Sequence, residues 1–143
     1  MDLRMSKEER SRFLTATPRV GVLSIEAAGR GPVSSPLWFA VEADGSLAFS
    51  VAPDSRKAAL MTKAGRATMC VQSEVAPYSY VVVEGPVEHE GAADDEFRRD
   101  IACRYLGPEL GEAYFQGVKD EPNVRFALRP QRWATLDYNK LFA

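Results

Sequence analysis

A chain of 143 residues suits a single domain, and 45% hydrophobic with 27% charged residues is typical of a soluble globular protein, not of a disordered or membrane protein. The net charge of -2 and the lack of any Lys/Arg run longer than two residues argue against a nucleic-acid partner. Residues 1–12 are charged and contain no apolar stretch, so we expect a cytoplasmic protein without a secretory signal.

The first part of the chain is expected to hold one short helix and two strands. Ser6 and Glu9 have the spacing of a capping box, which predicts a helix start. Val20–Ile25 is largely apolar and predicts a strand that is buried on both faces. The next predicted strand, Val33–Val41, is interrupted by Pro36, which marks a sheet edge or a bulge because proline cannot donate a ladder hydrogen bond.

A strand, a turn and a helix are expected next. The Asp-Gly pair at 44–45 predicts a hairpin turn, after which apolar and small residues alternate over residues 46–51, as in a half-buried strand. Asp54 is the expected N-cap of a helix over Ser55–Lys63.

The second half of the chain continues with strands around a pair of helices. The expected strands are Ala67–Gln72, Tyr78–His89, residues 124–129 and residues 132–138, and the expected helices are Ala92–Tyr105 and Glu109–Phe115. In the longer helix Phe97, Ile101 and Tyr105 share one face. About seven short strands joined mostly by tight turns predict a mainly antiparallel sheet, arranged as a barrel or a sandwich.

The segment S-V-A-P-D-S-R-K at residues 50–57 is the most informative for function. It predicts that a strand ends, turns and enters a helix whose start carries Ser55, Arg56 and Lys57. The first amides of a helix lack internal partners and bind anions, arginine offers a planar fork for phosphate oxygens, and lysine adds a mobile charge. The spacing alone leaves two interpretations open, a phosphate site or two solvated surface cations.

Several short motifs occur in an order that resembles one superfamily. Between Arg19 and Lys140 the chain carries R-V-G-V-L-S, P-L-W-F-A, S-R-K, G-R-A-T-M-C-V, V-V-V-E-G and R-W-A-T-L-D-Y-N-K. This order resembles the pyridoxamine 5'-phosphate oxidase-like superfamily, and is most similar to its small actinobacterial flavin/deazaflavin oxidoreductases. The resemblance implies that residues 1–143 form one mainly β domain, an antiparallel, FMN-binding split β-barrel with peripheral helices.

The resemblance also implies a flavoprotein-like cofactor site. The cofactor is the deazaflavin coenzyme F420 or FMN, held in a cleft between the two subunits of a homodimer. Arg56 and Lys57 match the basic pair that holds the phosphate, and the strand Ser34–Phe39 matches one that runs along the ring. The implied cofactor-binding residues are Ser34, Ser35, Pro36, Leu37, Trp38, Phe39, Ser50, Val51, Ser55, Arg56, Lys57 and Tyr80.

The function implied by the resemblance is hydride transfer between the bound cofactor and a small-molecule substrate. A true pyridoxamine phosphate oxidase is not expected, because the C-terminal Arg-x-His is missing and His89 is the only histidine. No catalytic residue is assigned, since solvent, Tyr80 and Tyr138 remain equal candidates for the proton donor. The alternatives are a non-catalytic cofactor carrier, a haem-binding split barrel and a catalytically silent dimeric barrel. His89 is either a solvated surface histidine or, in the haem-binding case, a ligand of the iron.

The remaining reactive residues predict little chemistry of their own. Cys70 and Cys103 form no C-x-x-C motif and are expected to be buried free thiols, with a disulfide or redox pair as the alternative. His89 stands between two glutamates whose side chains fall on the opposite strand face, so no metal site is expected. The sequence contains no G-x-G-x-x-G loop and no G-x-S-x-G elbow. Trp38 and Trp133 are typical of a core or an interface, and either is suited to flank a ring in a cleft.

Overall fold

The computed structural model describes all residues 1–143, as eight strands, four α-helices and one 3-10 turn. The α-helices are α1 (Lys7–Thr15), α2 (Arg56–Ala64), α3 (Asp95–Leu106) and α4 (Pro108–Val118). The strands are β1 (Gly21–Ile25), β2 (Val33–Leu37), β3 (Ala40–Val41), β4 (Leu47–Val51), β5 (Arg66–Ser73), β6 (Ser79–Ala92), β7 (Val124–Leu128) and β8 (Arg132–Asp137), and the turn is Tyr138–Leu141. None of the helices combines the length and the apolar composition of a membrane span.

The strands form one curled, antiparallel sheet in the order β2-β1-β5-β6-β7-β4-β3, and β8 pairs with β6. Strand β6 is 14 residues long; its first half pairs with β5 and β8, and its second half pairs with β7. Because one strand serves both halves, the sheet curls around a single core. The predicted mainly β split barrel with peripheral helices is confirmed.

The core lies inside the curl and is built from large apolar side chains. Phe39, Leu47, Phe49, Leu23 and Phe126 are at most 1% exposed. Burying a side chain of this kind stabilises the fold by roughly 1.5–3 kcal/mol. A smaller cluster lies outside the curl, where α3 packs its apolar face against β4.

Many local predictions for helix and strand ends are confirmed. The Ser6 side chain accepts from the Glu9 amide and the Glu9 side chain accepts from the Ser6 amide, which is the predicted capping box. Pro36 lies in β2, which pairs only with β1, so it occupies a sheet edge as predicted. The turn at 44–45 joins β3 to β4 in an antiparallel hairpin.

Three local predictions are wrong, and the strand count is one too low. The strand over residues 46–51 is not half-buried: Ser46 and Ala48 are buried as well, and α3 covers the outer face of β4 at Ala48. Val20–Ile25 is not buried on both faces: Leu23 and Ile25 are buried but Val22 is 39% exposed, because only one face of β1 meets the core. The N-cap of α2 is Ser55 and not Asp54, since the Ser55 hydroxyl accepts from the Ala58 amide at 3.2 Å. The segment Val33–Val41 forms two strands, because the chain turns a corner between β2 and β3.

Candidate functional site

A tyrosine hydroxyl holds the corner between β2 and β3. The Tyr105 hydroxyl on α3 accepts from the Phe39 amide at 3.1 Å and donates to the Arg19 carbonyl oxygen at 2.8 Å. Burial raises the pKa of Tyr105, against the opposing effect of its bond to Phe39, so the hydroxyl keeps its proton at neutral pH. The backbone of the corner is therefore tied to a helix on the outside of the sheet.

The same corner presents Trp38 as an aromatic wall. The Trp38 ring stacks on Tyr105 with centroids 5.2 Å apart and planes 9° from parallel. Tyr114 on α4 lies 5.2 Å from Trp38 on another side, tilted by 59°. Two stacked or tilted aromatic contacts fix the Trp38 ring in one orientation.

A cavity of about 340 Å³ opens between this corner and the hairpin of α3 and α4. Four of the predicted cofactor residues line it from the sheet: Pro36, Leu37, Trp38 and Ser50. Pairing of β3 with β4 brings the end of β4, which carries Ser50, beside the corner that carries Trp38. The structure thus brings together these two parts of the predicted site.

The opposite wall of the cavity comes from the helical hairpin, which the sequence analysis did not assign to the site. Tyr114, Phe115 and Ile101 supply its apolar surface. The Arg98 guanidinium caps the last turn of α4, donating to the Val118 oxygen at 2.8 Å and to the Lys119 oxygen at 3.2 Å. The shared apolar face of α3 was the available signal, because such a face must cover some part of the sheet.

The predicted phosphate residues stand at the start of α2, one turn beyond β4. Ser55 caps the helix, the first turn contains no acidic residue, and the amides of Arg56 and Lys57 precede the first internal hydrogen bonds. Neither basic side chain takes part in an ion pair within the chain. By contrast, Arg125 is held by two carboxylates. This set of donors without acceptors fits a phosphate group.

Other predicted residues are placed away from the cavity. Ser34 lies on the outer face, where its hydroxyl is 2.8 Å from the Ser24 hydroxyl. The Ser35 hydroxyl is buried without a partner. Val51 and Phe39 are buried, so they offer a ligand their backbone groups only. Within one protomer, a contact of any of these with a cofactor stays a prediction.

Tyr80 faces a different groove. Together with Trp133 and Lys140 it lines a space of about 830 Å³ between β8 and the N-terminal segment. The Arg10 guanidinium lies 4.3 Å from the centroid of the Trp133 ring and forms part of the same groove. A single protomer therefore does not bring Tyr80 to the cavity beside Trp38.

The outer face of the sheet carries an uncharged band across five strands. Register places Pro36, Val22, Cys70, Val82 and Ala134 side by side, from β2 through β1, β5 and β6 to β8. We call this the outer row. The row on one side, Gln72, Tyr80 and Leu136, is uncharged as well. The row on the other side begins with Ser34, Ser24 and Thr68 and ends in the ion pair of Glu84 with Arg132. Because Pro36 also lines the cavity, the band and the cavity adjoin.

The reactive residues outside the cavity are isolated. His89 is exposed, its Nδ1 accepts from the Gly91 amide at 3.1 Å, and it does not line the cavity. Cys70 and Cys103 are free thiols, as predicted, but both are partly exposed and not buried as expected; partial burial raises the pKa of Cys70. No group of three or more His, Cys, Asp or Glu side chains is arranged to hold a metal ion.

A curled antiparallel sheet whose longest strand serves both halves is the architecture of the split β-barrel proteins. The sequence profile of the pyridoxamine 5'-phosphate oxidase family matches residues 6–137, and the chain belongs to that family. A search of curated proteins found no significant match.

Solved structures share the fold. A conserved hypothetical protein of Mycobacterium tuberculosis matches with a TM-score of 0.78 at 22% identity, over 99% of this chain and 91% of that one. An F420 reductase matches with a TM-score of 0.68 at 22% identity, over 86% of this chain and 94% of that one. A haem-binding protein of Mycobacterium smegmatis matches at 0.65 and 18% identity, over 94% of this chain and 55% of that one. At these identities the likeness establishes the fold.

Proposed function

We propose that the protein is an oxidoreductase that binds the deazaflavin or FMN and passes hydride between that cofactor and a small-molecule substrate. One observation carries the proposal. Arg56 and Lys57, which have no acidic partner in the chain, stand at the amino end of α2, directly after the strand that lines the aromatic cavity. A phosphate held there leaves the attached ring system within the reach of Trp38.

The residues of this chain bind the cofactor and orient its ring. Arg56, Lys57 and the first amides of α2 hold the phosphate, while the open edge of β2 offers backbone groups along the ring. The rigid β2–β3 corner sets the position of that edge. When bound, the cofactor supplies the hydride chemistry. Neither Tyr80 nor Tyr138 lines the cavity of one protomer, so solvent provides the proton unless a second subunit delivers Tyr80.

We further propose a homodimer in which the outer row pairs with the same row of a second copy. A continuous uncharged band is self-complementary under two-fold symmetry, and a lone domain gains nothing from exposing it. Since Pro36 belongs to both the outer row and the cavity, a second copy on this face closes the cavity. The same copy is positioned to bring its own Tyr80 to the cofactor cleft.

A lysine in the outer row is expected to separate the subunits. Val22 is 39% exposed in one protomer, so Val22→Lys leaves the fold intact, but in a dimer it buries an unpaired charge at a cost of several kcal/mol. Sedimentation velocity should show a dimer for the unchanged protein and a monomer for the variant. Val75→Lys, at a position that is 75% exposed and outside the strands, is the matched control and should stay dimeric. If the unchanged protein sediments as a monomer, the proposed interface is wrong.

Haem binding is the second candidate function, because one of the similar structures is a haem-binding protein. The residues of this chain give it little support. His89 is the only histidine, and it lies on the exposed second half of β6, away from the cavity. We therefore favour the flavin-type cofactor, which the F420 reductase among the similar structures also suggests.

A visible absorption spectrum tests the proposal. Protein that is mixed with FMN, the deazaflavin or haem and then desalted should retain the absorption band of one of the two flavin-type cofactors. Retention of haem alone, or of no cofactor, contradicts the proposed function.

A further inference from the structure

Two aromatic rings, Trp38 and Tyr114, meet at an angle in the cavity. Trp38 is held by its stack on Tyr105, whose hydroxyl is itself bonded to the backbone of the corner. Tyr114 contacts Trp38 directly, with ring centroids 5.2 Å apart, and is 47% exposed; its hydroxyl has no hydrogen-bond partner within the chain. Because the two rings touch and are tilted by 59°, they form a corner, and a flat ligand that stacks on the exposed part of one ring meets the other edge to face. Both arrangements are favourable for aromatic pairs.

The size of the cavity limits what it holds. Its volume of about 340 Å³ is at the small end of the range for ligand pockets, roughly 300–1,000 Å³. A volume of this size is enough for one small ring system. The phosphate residues Arg56 and Lys57 do not line it, so the cofactor has its anchor outside the cavity.

The polar end of the cavity carries no net charge. Arg98 and Glu121 line it and have opposite signs. Two nitrogens of the Arg98 guanidinium are already committed to the carbonyl oxygens at the end of α4. Asn123 adds an amide that both donates and accepts. This end suits a hydrogen-bonding group on an uncharged ligand and gives an ion no advantage.

We propose that the cavity takes the planar, uncharged ring of the substrate, and that Tyr114 on α4 is the residue that selects for planarity. Trp38 provides the fixed surface, and the end that carries Glu121 and Asn123 binds a hydroxyl or a similar group. The assignment of this ring to the substrate rests on the proposed function, because it requires a cofactor ring beside the open edge of β2. The selection for planar shape depends on the cavity alone.

Binding of three probes to the cofactor-free protein tests the shape selection. The probes are 2-naphthol, which is planar and uncharged at pH 7, its anionic counterpart 2-naphthoate, and 1-adamantanol, which is uncharged but not flat. Calorimetry should show that 2-naphthol binds at least about five-fold more tightly than either of the others. Tyr114→Leu should weaken 2-naphthol binding by roughly five- to ten-fold, while Tyr114→Phe, which keeps the ring, retains it.

Two controls test whether the loss of 2-naphthol binding is specific to Tyr114. Tyr138→Leu removes another exposed tyrosine and should leave 2-naphthol binding unchanged. Thermal unfolding of each variant shows whether the fold survives. Equal affinity of the unchanged protein for 2-naphthol and 1-adamantanol overturns the proposed selection, as does full 2-naphthol affinity in Tyr114→Leu.

A last experiment distinguishes failure of this inference from failure of the proposed function. Protein loaded with FMN or the deazaflavin should still bind 2-naphthol, because the ring of the cofactor lies beside the cavity. Competition between 2-naphthol and the cofactor overturns the substrate assignment, since the cavity is then the seat of the cofactor ring. Failure of both cofactors to bind contradicts the proposed function, while the planar selectivity of the cofactor-free protein is still decided by the three probes.

Discussion

Replacing Arg56 and Lys57 together with alanine is expected to weaken binding of FMN or the deazaflavin by at least about a hundred-fold. Each side chain offers a charge-assisted hydrogen bond to phosphate, and such contacts are worth roughly 1.5–3 kcal/mol. Neither side chain supports the fold through an ion pair, so the double variant should unfold at the same temperature as the unchanged protein. Fluorescence titration with each cofactor gives the two dissociation constants.

The matched control for this double change is Lys63→Ala. Lys63 is an exposed cation in the last turn of the same helix, so its removal changes the net charge without touching the amino end. Cofactor affinity should remain within about two-fold of the unchanged value, the level expected for a solvent-screened charge. If the double variant binds as tightly as Lys63→Ala, the phosphate lies elsewhere.

The second large effect is expected at Gly85, where an alanine should lower the free energy of unfolding by about 3 kcal/mol or more. A Cβ atom there would lie 1.9 Å from the Arg129 carbonyl oxygen. The clash is with backbone, which cannot rotate away as a side chain can. Residues 129–131 pass over β6 at this point, and we call them the crossing segment. The Arg129 and Gln131 amides donate to backbone oxygens of β6 on the two sides of Gly85 and hold the segment there.

Chemical denaturation measures this effect, with Gly117→Ala as the control. Gly117 is helical, and a Cβ there meets no atom within 4 Å. Alanine at Gly117 should be neutral or stabilise by up to about 1 kcal/mol, because alanine favours helix over glycine. A Gly85→Ala protein as stable as the unchanged one shows that β6 and the crossing segment are not in this close contact.

Local signals predicted most elements and the antiparallel sheet but left a barrel and a sandwich open, and the ordered motifs of the family resemblance supplied the split barrel. The capping box at Ser6, the edge position of Pro36 and the hairpin at 44–45 each follow from chemistry within a few residues. Gly85 illustrates the limit of such local signals. It belongs to the V-V-V-E-G motif, but the reason for a glycine is the approach of Arg129, which the sequence pattern does not reveal.

The errors arise where two local signals compete or where burial depends on distant elements. Asp54 and Ser55 are both good capping residues, and only the backbone geometry selects Ser55. Val20–Ile25 was expected to be covered on both sides, but its outer face stays partly exposed in one protomer. If the proposed homodimer is correct, Val22 is apolar because the second copy covers it.

Half of the cavity was beyond the reach of sequence reasoning. The sheet wall at Trp38 and Ser50 followed from family resemblance, whereas Tyr114 and Arg98 enter through the packing of a hairpin from a later part of the chain. Helix periodicity identifies an apolar face but not the surface that the face covers. The structure adds this wall, and it is the wall on which the proposed substrate selection depends.

The most direct test of the central claim is a comparison of riboflavin with its phosphate-bearing relatives. The unchanged protein is titrated with riboflavin, FMN and the deazaflavin, and quenching of cofactor fluorescence gives each dissociation constant. If the start of α2 holds a phosphate, FMN or the deazaflavin should bind about a hundred-fold more tightly than riboflavin, which lacks that group. Riboflavin binding as tightly as both relatives, or no binding of any of the three, would contradict the account.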